Sequence, residues 1–195
     1  MPTTLGIDIG LVNFSYCVVR EKDGCITIPD WKVINLLDMM GFVAGFPCAK
    51  VTPVDLHNIV DFVLPTIFGV DFFQSYNVQH VAIEQQPHGK YGHIRMIALS
   101  HLIFSHFRRM VFGATNSVLS VVMVSAACKY QKAFLDKFGF EKQKQYNRRK
   151  NLGVDIAMGL CKELAIPTTL IEDAPKKDDL ADSFLLAYAE LLKWL

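Results

Sequence analysis

Cysteine is scarce in this 195-residue chain: five residues, odd in number, spread from Cys17 to Cys161 with no C-x-x-C pair. That spacing excludes a disulfide framework and a zinc knuckle, and predicts buried free thiols in a reducing compartment. Long apolar runs are missing too. No stretch of 18 apolar residues occurs, and the longest runs, such as 118–124, have only strand length, so no membrane association is expected. Repeats, low-complexity tracts and linker-like segments are absent, and the length predicts one domain over residues 1–195. Net charge is only +1, so any surface for a polyanion must be local. The first predicted strand starts almost at Met1, which leaves no room for a secretory or mitochondrial leader. The expectation is a soluble, intracellular protein.

What is present is a chain that can build a core, with 51% hydrophobic against 20% charged residues. Strands are predicted over 5–10, 14–20 and 25–37, joined by tight turns as in an antiparallel meander. A helix over 51–74 opens with the cap pair Thr52-Pro53 and is expected to kink or break at Pro65. A buried strand over 78–84 and a helix over 94–111 follow, then a β-branched strand over 117–124. Residues 155–164 read as a helix, 168–171 as a short strand, and 177–195 as a closing amphipathic helix. The result is an α/β fold: a mixed five-stranded sheet, three antiparallel strands plus two parallel ones, flanked by helices.

Against this pattern four acids are out of place. Asp8 lies in the first strand, where Asp is a poor strand former and a buried carboxylate without a partner is costly. Flanking Gly6 and Gly10 permit close approach of a backbone or ligand. Glu84 ends an apolar strand in the same way. Asp179 and Asp182 open the last helix three residues apart, hence on one face. Their spacing favours Asp179 over its neighbour Asp178, which stays the alternative. Like charges held close are unfavourable unless a cation neutralises them, and an all-carboxylate set suits Mg²⁺ or Mn²⁺ rather than Zn²⁺. Two such ions could activate a water and stabilise the leaving 3′-oxygen in an in-line displacement at a phosphodiester.

The motifs GIDIG (6–10), AIEQQ (82–86) and DDLADS (178–183) resemble the RuvC family of Holliday-junction resolvases, within the RNase H-like superfamily. The runs IEQQP and KKDDLADS look most like the branch found in poxviruses and other large DNA viruses; fungal mitochondrial resolvases are similar too. The resemblance runs from residue 5 to about 190. It implies an RNase H-like fold and a Mg²⁺- or Mn²⁺-dependent endonuclease with two ions held by Asp8, Glu84, Asp179 and Asp182. It also implies a basic residue near the scissile phosphate, for which Lys129 is the candidate, and a homodimer whose two-fold axis matches that of a four-way junction. The implied task is symmetric nicking of four-way and branched DNA, in recombination or in resolving replication intermediates and concatemers. For a poxvirus that places it in the host cytoplasm. The alternative within the same fold is a nuclease for RNA–DNA hybrids or flaps. An actin-like phosphotransferase, which also begins G-x-D-x-G, needs two such domains and a longer chain.

The modest net charge conceals an asymmetry. Residues 129–150 hold eight Lys or Arg against two acids, a net +6, and leave the remainder at about −5. Lys144, Arg148, Arg149 and Lys150 are the expected phosphate contacts, with Tyr130, Tyr146, Gln143, Gln145 and Asn147 as further phosphate and base-face partners. Lys90 and Tyr91, in the loop after Glu84, are expected near the branch point, Tyr91 as a stacking platform. His88 and His93 have no zinc-ligand companions, and His101 and His106 are expected to decorate a helix.

Overall fold

A computed structural model of the chain describes residues 1–87, 93–113, 118–141 and 146–195. Strands β1 (Thr3–Asp8), β2 (Phe14–Lys22) and β3 (Cys25–Ile34) form the meander. The short helix α1 (Leu36–Met39) follows, its cap Asn35 accepting from the backbone N–H groups of Leu37 and Asp38. Helices α2 (Pro53–Asn58), α3 (Leu64–Ile67) and α4 (Val70–Tyr76) lead to β4 (His80–Gln85), then α5 (Ile94–Gly113) and β5 (Ser120–Ser125). A 3-10 turn over Ala126–Tyr130 precedes α6 (Lys132–Phe138), α7 (Tyr146–Glu163), α8 (Thr169–Glu172) and α9 (Lys177–Leu191). Strand order is β3-β2-β1-β4-β5, with antiparallel pairing on the β2 and β3 side and parallel pairing of β1, β4 and β5. This is the mixed sheet expected from the sequence.

Period-2 alternation divides the strands between two cores. Leu5, Ile7, Phe14, Tyr16, Val18, Val81 and Ile83 meet Leu56, Ile59, Leu64, Phe68, Phe73, Leu99, Ile103 and Phe107 on one face. Cys17, Val19 and Trp31 meet Leu152, Ile156, Leu160, Leu180, Phe184, Leu185 and Tyr188 on the other. The central strand β1 is buried along its whole length.

Helix α9 lies so close to β1 that only glycine fits between them. A Cβ on Gly6 would stand 2.3 Å from the Ser183 carbonyl oxygen and 2.5 Å from the Ala187 amide nitrogen. The start of α9 is fastened from the meander as well. Trp31 Nε1 donates to the Leu180 carbonyl at 3.0 Å and to Ser183 Oγ at 3.2 Å, and Ser15 Oγ donates to the Asp179 carbonyl at 2.5 Å. These are long-range contacts by polar side chains, so no local periodicity announces them.

The structure departs from the expected elements at four places. The helix after Thr52 does begin with a capping box, Thr52 with Asp55, but it accommodates Pro65 without breaking there. Pro65 lacks an N–H and its ring crowds the carbonyl four residues back, and the backbone widens ahead of it into a π turn over Ile59–Val63. The chain bends by 44° later, between Ile67 and Val70. The third strand stops at Ile34, three residues short of the expected end. The short strand expected over 168–171 is instead helix α8, with the Ile171 and Glu172 amides bonded to the Thr168 carbonyl; a run that short carries no period to separate the two. The helix expected from 155 begins at Tyr146, within the basic segment.

All five cysteines are free thiols, but only Cys17 and Cys161 are buried, and Cys25 is exposed on β3. Among the described residues no single helix is long and apolar enough to cross a membrane.

Gly6→Ala should cost about 3 kcal/mol or more, the upper end for overpacking, because the obstacles are main-chain atoms that cannot rotate away. A urea titration should show a lowered midpoint with an unchanged slope.

Candidate active site at the carboxyl ends of β1 and β4

Parallel β1 and β4 end at the same sheet edge, where α/β folds gather their sites. On the α9 side of the sheet, small Gly6 and Ala82 give way at the strand ends to Asp8 and Glu84. Asp8 is the last residue of β1, pairs with Ser15 of β2, and is 8% exposed. The turn beyond it is tight: a Cβ on Gly10 would lie 2.6 Å from the Asn13 carbonyl oxygen. From above, α9 supplies Asp182. From the side, the 3-10 turn after β5 supplies Lys129, which is 2% exposed.

Lys129 joins these elements. Its ammonium donates to Glu84 Oε1 at 2.9 Å and pairs with Asp182 Oδ2 at 2.6 Å. Burial alone would discourage the charge, but the fields of Asp8, Asp182 and Glu84 hold Lys129 well above the ordinary lysine range. Asp8 is driven well up, first by burial and then by the Glu84 charge, and shares a hydrogen bond with Glu84. Burial also pushes on Glu84, yet the bond from Asp8 and the charge and bond of Lys129 outweigh it and bring Glu84 below its ordinary value. Of this pair Asp8 is therefore the weaker acid. Burial raises Asp182 above its ordinary value, with Lys129 opposing.

The three acids at the start of α9 have different surroundings. Asp178 forms an ion pair with Lys150 of α7, and that contact outweighs burial to lower its pKa. Asp179 is half-buried, its Oδ2 has no hydrogen-bond partner, and burial followed by the Asp178 charge lifts it from 3.8 to about 6. Asp182 reaches the Glu84–Lys129 group. The structure thus brings Asp8, Glu84, Asp182 and Lys129 into one cluster and leaves Asp179 one turn earlier on the same helix.

Of the residues expected to meet DNA, Arg148 and Arg149 are exposed on the first turns of α7, and Lys150 is engaged with Asp178. Lys90, Tyr91 and Lys144 lie outside the described residues. Tyr130, expected as a phosphate or base-face partner, is held against α7. It is half-buried, and its hydroxyl donates to the Arg149 carbonyl at 3.0 Å. Asp182 Oδ1 and Tyr130 Oη both lie about the bare Cα of Gly153, 3.4 and 3.5 Å from where a Cβ would stand. Gly153 and Ser15 are supporting residues that sequence reasoning missed. Each is a common type in an ordinary position, so no local signal marks it.

Among the described residues no group of three or more His, Cys, Asp or Glu is arranged to hold a metal ion while Lys129 stands between Glu84 and Asp182. The donor chemistry nonetheless fits a hard divalent cation: carboxylate oxygens only, one of them buried and unpartnered.

No protein-family model matches the chain, and no curated protein matches it in sequence. Solved structures do. The yeast mitochondrial Holliday junction resolvase superposes with a TM-score of 0.65 at 18% identity, over 96% of this chain and 77% of that one. The fowlpox virus resolvase, in a complex with Holliday junction DNA, gives 0.57 at 16% identity over 99% of both chains. Thermus thermophilus RuvC with a Holliday junction substrate gives 0.55 at 14% identity, over 98% of this chain and 94% of that one. The fold is RNase H-like, as in RuvC. Within that RuvC-like fold the acid cluster sits at the carboxyl ends of the central strands.

Replacing Lys129 by Met should strip the cation from partly buried Glu84 and Asp182, a loss of about 3 kcal/mol, the lower end for a broken buried pair. Urea unfolding should show that loss at pH 8 and less of it near pH 4, where the carboxylates gain protons. Asp179 acts in the opposite direction. Its folded pKa is raised, so its contribution is present below pH 4 and lost as pH rises through about 6. Metal-free Asp179→Asn should therefore melt higher than the parent at pH 8 and equal to it below pH 4.

Proposed function

We propose that this chain is a metal-dependent endonuclease that resolves four-way DNA junctions. The observation that carries this reading is the convergence of Asp8, Glu84, Asp182 and Lys129 at the strand ends of a fold shared with three proteins solved as Holliday junction resolvases or with junction DNA. The ordered motifs GIDIG, AIEQQ and DDLADS supply the same acids.

On this reading Asp8, Glu84 and Asp182 hold Mg²⁺ or Mn²⁺, with Asp179 joining through its unpartnered carboxyl oxygen. When bound, such ions polarise the phosphoryl group and lower the pKa of a water. The protein's own residues do the rest. Burial of Asp8 and Glu84 excludes bulk water and strengthens each charge interaction at the strand ends. Lys129 provides a positive charge for the scissile phosphate, and exposed Arg148 and Arg149 grip the neighbouring backbone at the head of α7. Two copies related by a two-fold axis would place two such centres on a junction of matching symmetry, so both nicks fall on strands of like polarity. We read the source as the branch found in large DNA viruses. The KKDDLADS run and the end-to-end coverage shared with the fowlpox resolvase support this. There the task would be resolving replication intermediates and concatemers in the host cytoplasm.

Labelled four-way, three-way, flap, hybrid and duplex substrates, incubated with Mg²⁺ or EDTA, test the reading. Paired symmetric nicks in the four-way junction with Mg²⁺ are expected, and none with EDTA. Asp8→Asn and Asp182→Asn should each lose more than about 100-fold in rate, above the effect of outer-sphere partners, while still shifting the junction in a gel. Equal cutting of plain duplex would sink the junction assignment, and a preference for hybrid would move the reading to the RNase H branch.

A further inference from the structure

Lys129 stands where a metal ion would be expected to stand. Its ammonium is buried, 2.9 Å from Glu84 and 2.6 Å from Asp182, in the cluster that Asp8 shares. Every carboxylate contact that it makes is one that a divalent cation at this cluster would need. An ammonium and a divalent ion a few Å apart in a water-poor site repel strongly, so the two compete for the same oxygens. Charge counting agrees. Ionised Asp8, Glu84, Asp182 and Asp179 balance two divalent cations in full, and the positive charge of Lys129 is then in excess. A DNA phosphate supplies the one negative charge that this excess requires, and the flexible four-carbon stem allows the head group to reach it.

We infer that Lys129 is an internal counter-ion that closes the acid cluster to divalent metal until a DNA phosphate draws its ammonium away, so metal binding and DNA binding reinforce each other. The inference rests on reading the cluster as a metal nuclease centre, and it adds a regulation that this reading does not require. In the free protein Lys129 holds Glu84 and Asp182 together and keeps metal affinity low. With a phosphate seated, the same lysine serves the phosphate and the carboxylates are free for metal. Linkage makes the effect reciprocal: bound metal raises affinity for DNA by the factor that DNA raises affinity for metal. The cell then holds few metal-loaded, DNA-free enzymes, and stray hydrolysis is limited.

Binding of Mn²⁺, followed by loss of the free-ion electron paramagnetic resonance signal, tests this without reference to cleavage. The titration uses the free protein and the protein saturated with a four-way junction whose branch-point linkages are 3′-methylenephosphonates, charged but uncleavable. Ion uptake by the DNA is subtracted with the Asp8→Asn complex. Free Lys129→Met and Lys129→Gln should bind Mn²⁺ at least about tenfold more tightly than the free parent, as expected from removing a like charge. The junction should raise the parent's affinity by about tenfold and that of the variants by less than about twofold. Equal affinity of free parent and variants, or equal gains with the junction, overturns the inference. No uptake by any form, with or without junction, overturns the metal reading as well. Tighter binding by the variants in a protein that cuts only hybrid upholds the inference and rejects the substrate. Should both variants fail to fold, ¹⁵N spectra of the parent decide: a protected lysine ammonium signal in the free protein should vanish on adding the junction, and persistence overturns the proposal.

Discussion

Carboxylates crowded into a water-poor pocket need a counter-charge, and in this protein the counter-charge belongs to the chain. The Lys129 ammonium links β4 to α9 through Glu84 and Asp182 and lies beside the end of β1. Three segments remote in sequence therefore meet for an electrostatic reason in addition to their apolar packing. The raised pKa of Asp8, caused by burial and the Glu84 charge, belongs to the same balance. Site and scaffold are not separate here, because the group that neutralises the acids also fixes the turn after β5 against the sheet.

The acids are positioned by main chain more than by side chain. Gly6 lets α9 settle on β1 at backbone contact distance, and Trp31 and Ser15 bind the first carbonyls of that helix. Asp182 is thus set relative to Asp8 by a helix resting on a strand. Sites carried on packed elements hold their geometry more tightly than sites carried on loops.

Much of this could be read from residue order. Alternating strands with tight turns gave the meander, and Asp8 and Glu84 stood out because a carboxylate at the end of an apolar strand needs a reason. The i, i+3 spacing put Asp179 and Asp182 on one face, but it could not show that Asp178 would turn to Lys150 while Asp179 kept an unpartnered oxygen. That division depends on where α7 passes, a long-range matter. The basic segment was legible as charge and not as structure. It divides among a 3-10 turn, α6 and the head of α7, and its first lysine is buried rather than displayed to solvent. Residues 168–171 were misread because four residues carry no period.

Two contacts tie the head of α7 to the acid cluster: Tyr130 to the Arg149 carbonyl, and Lys150 to Asp178. The head of α7 and the acid cluster are therefore joined by side chains from both sides. On the function proposed above, a strand held along α7 would be set at one distance from the carboxylates by these two contacts.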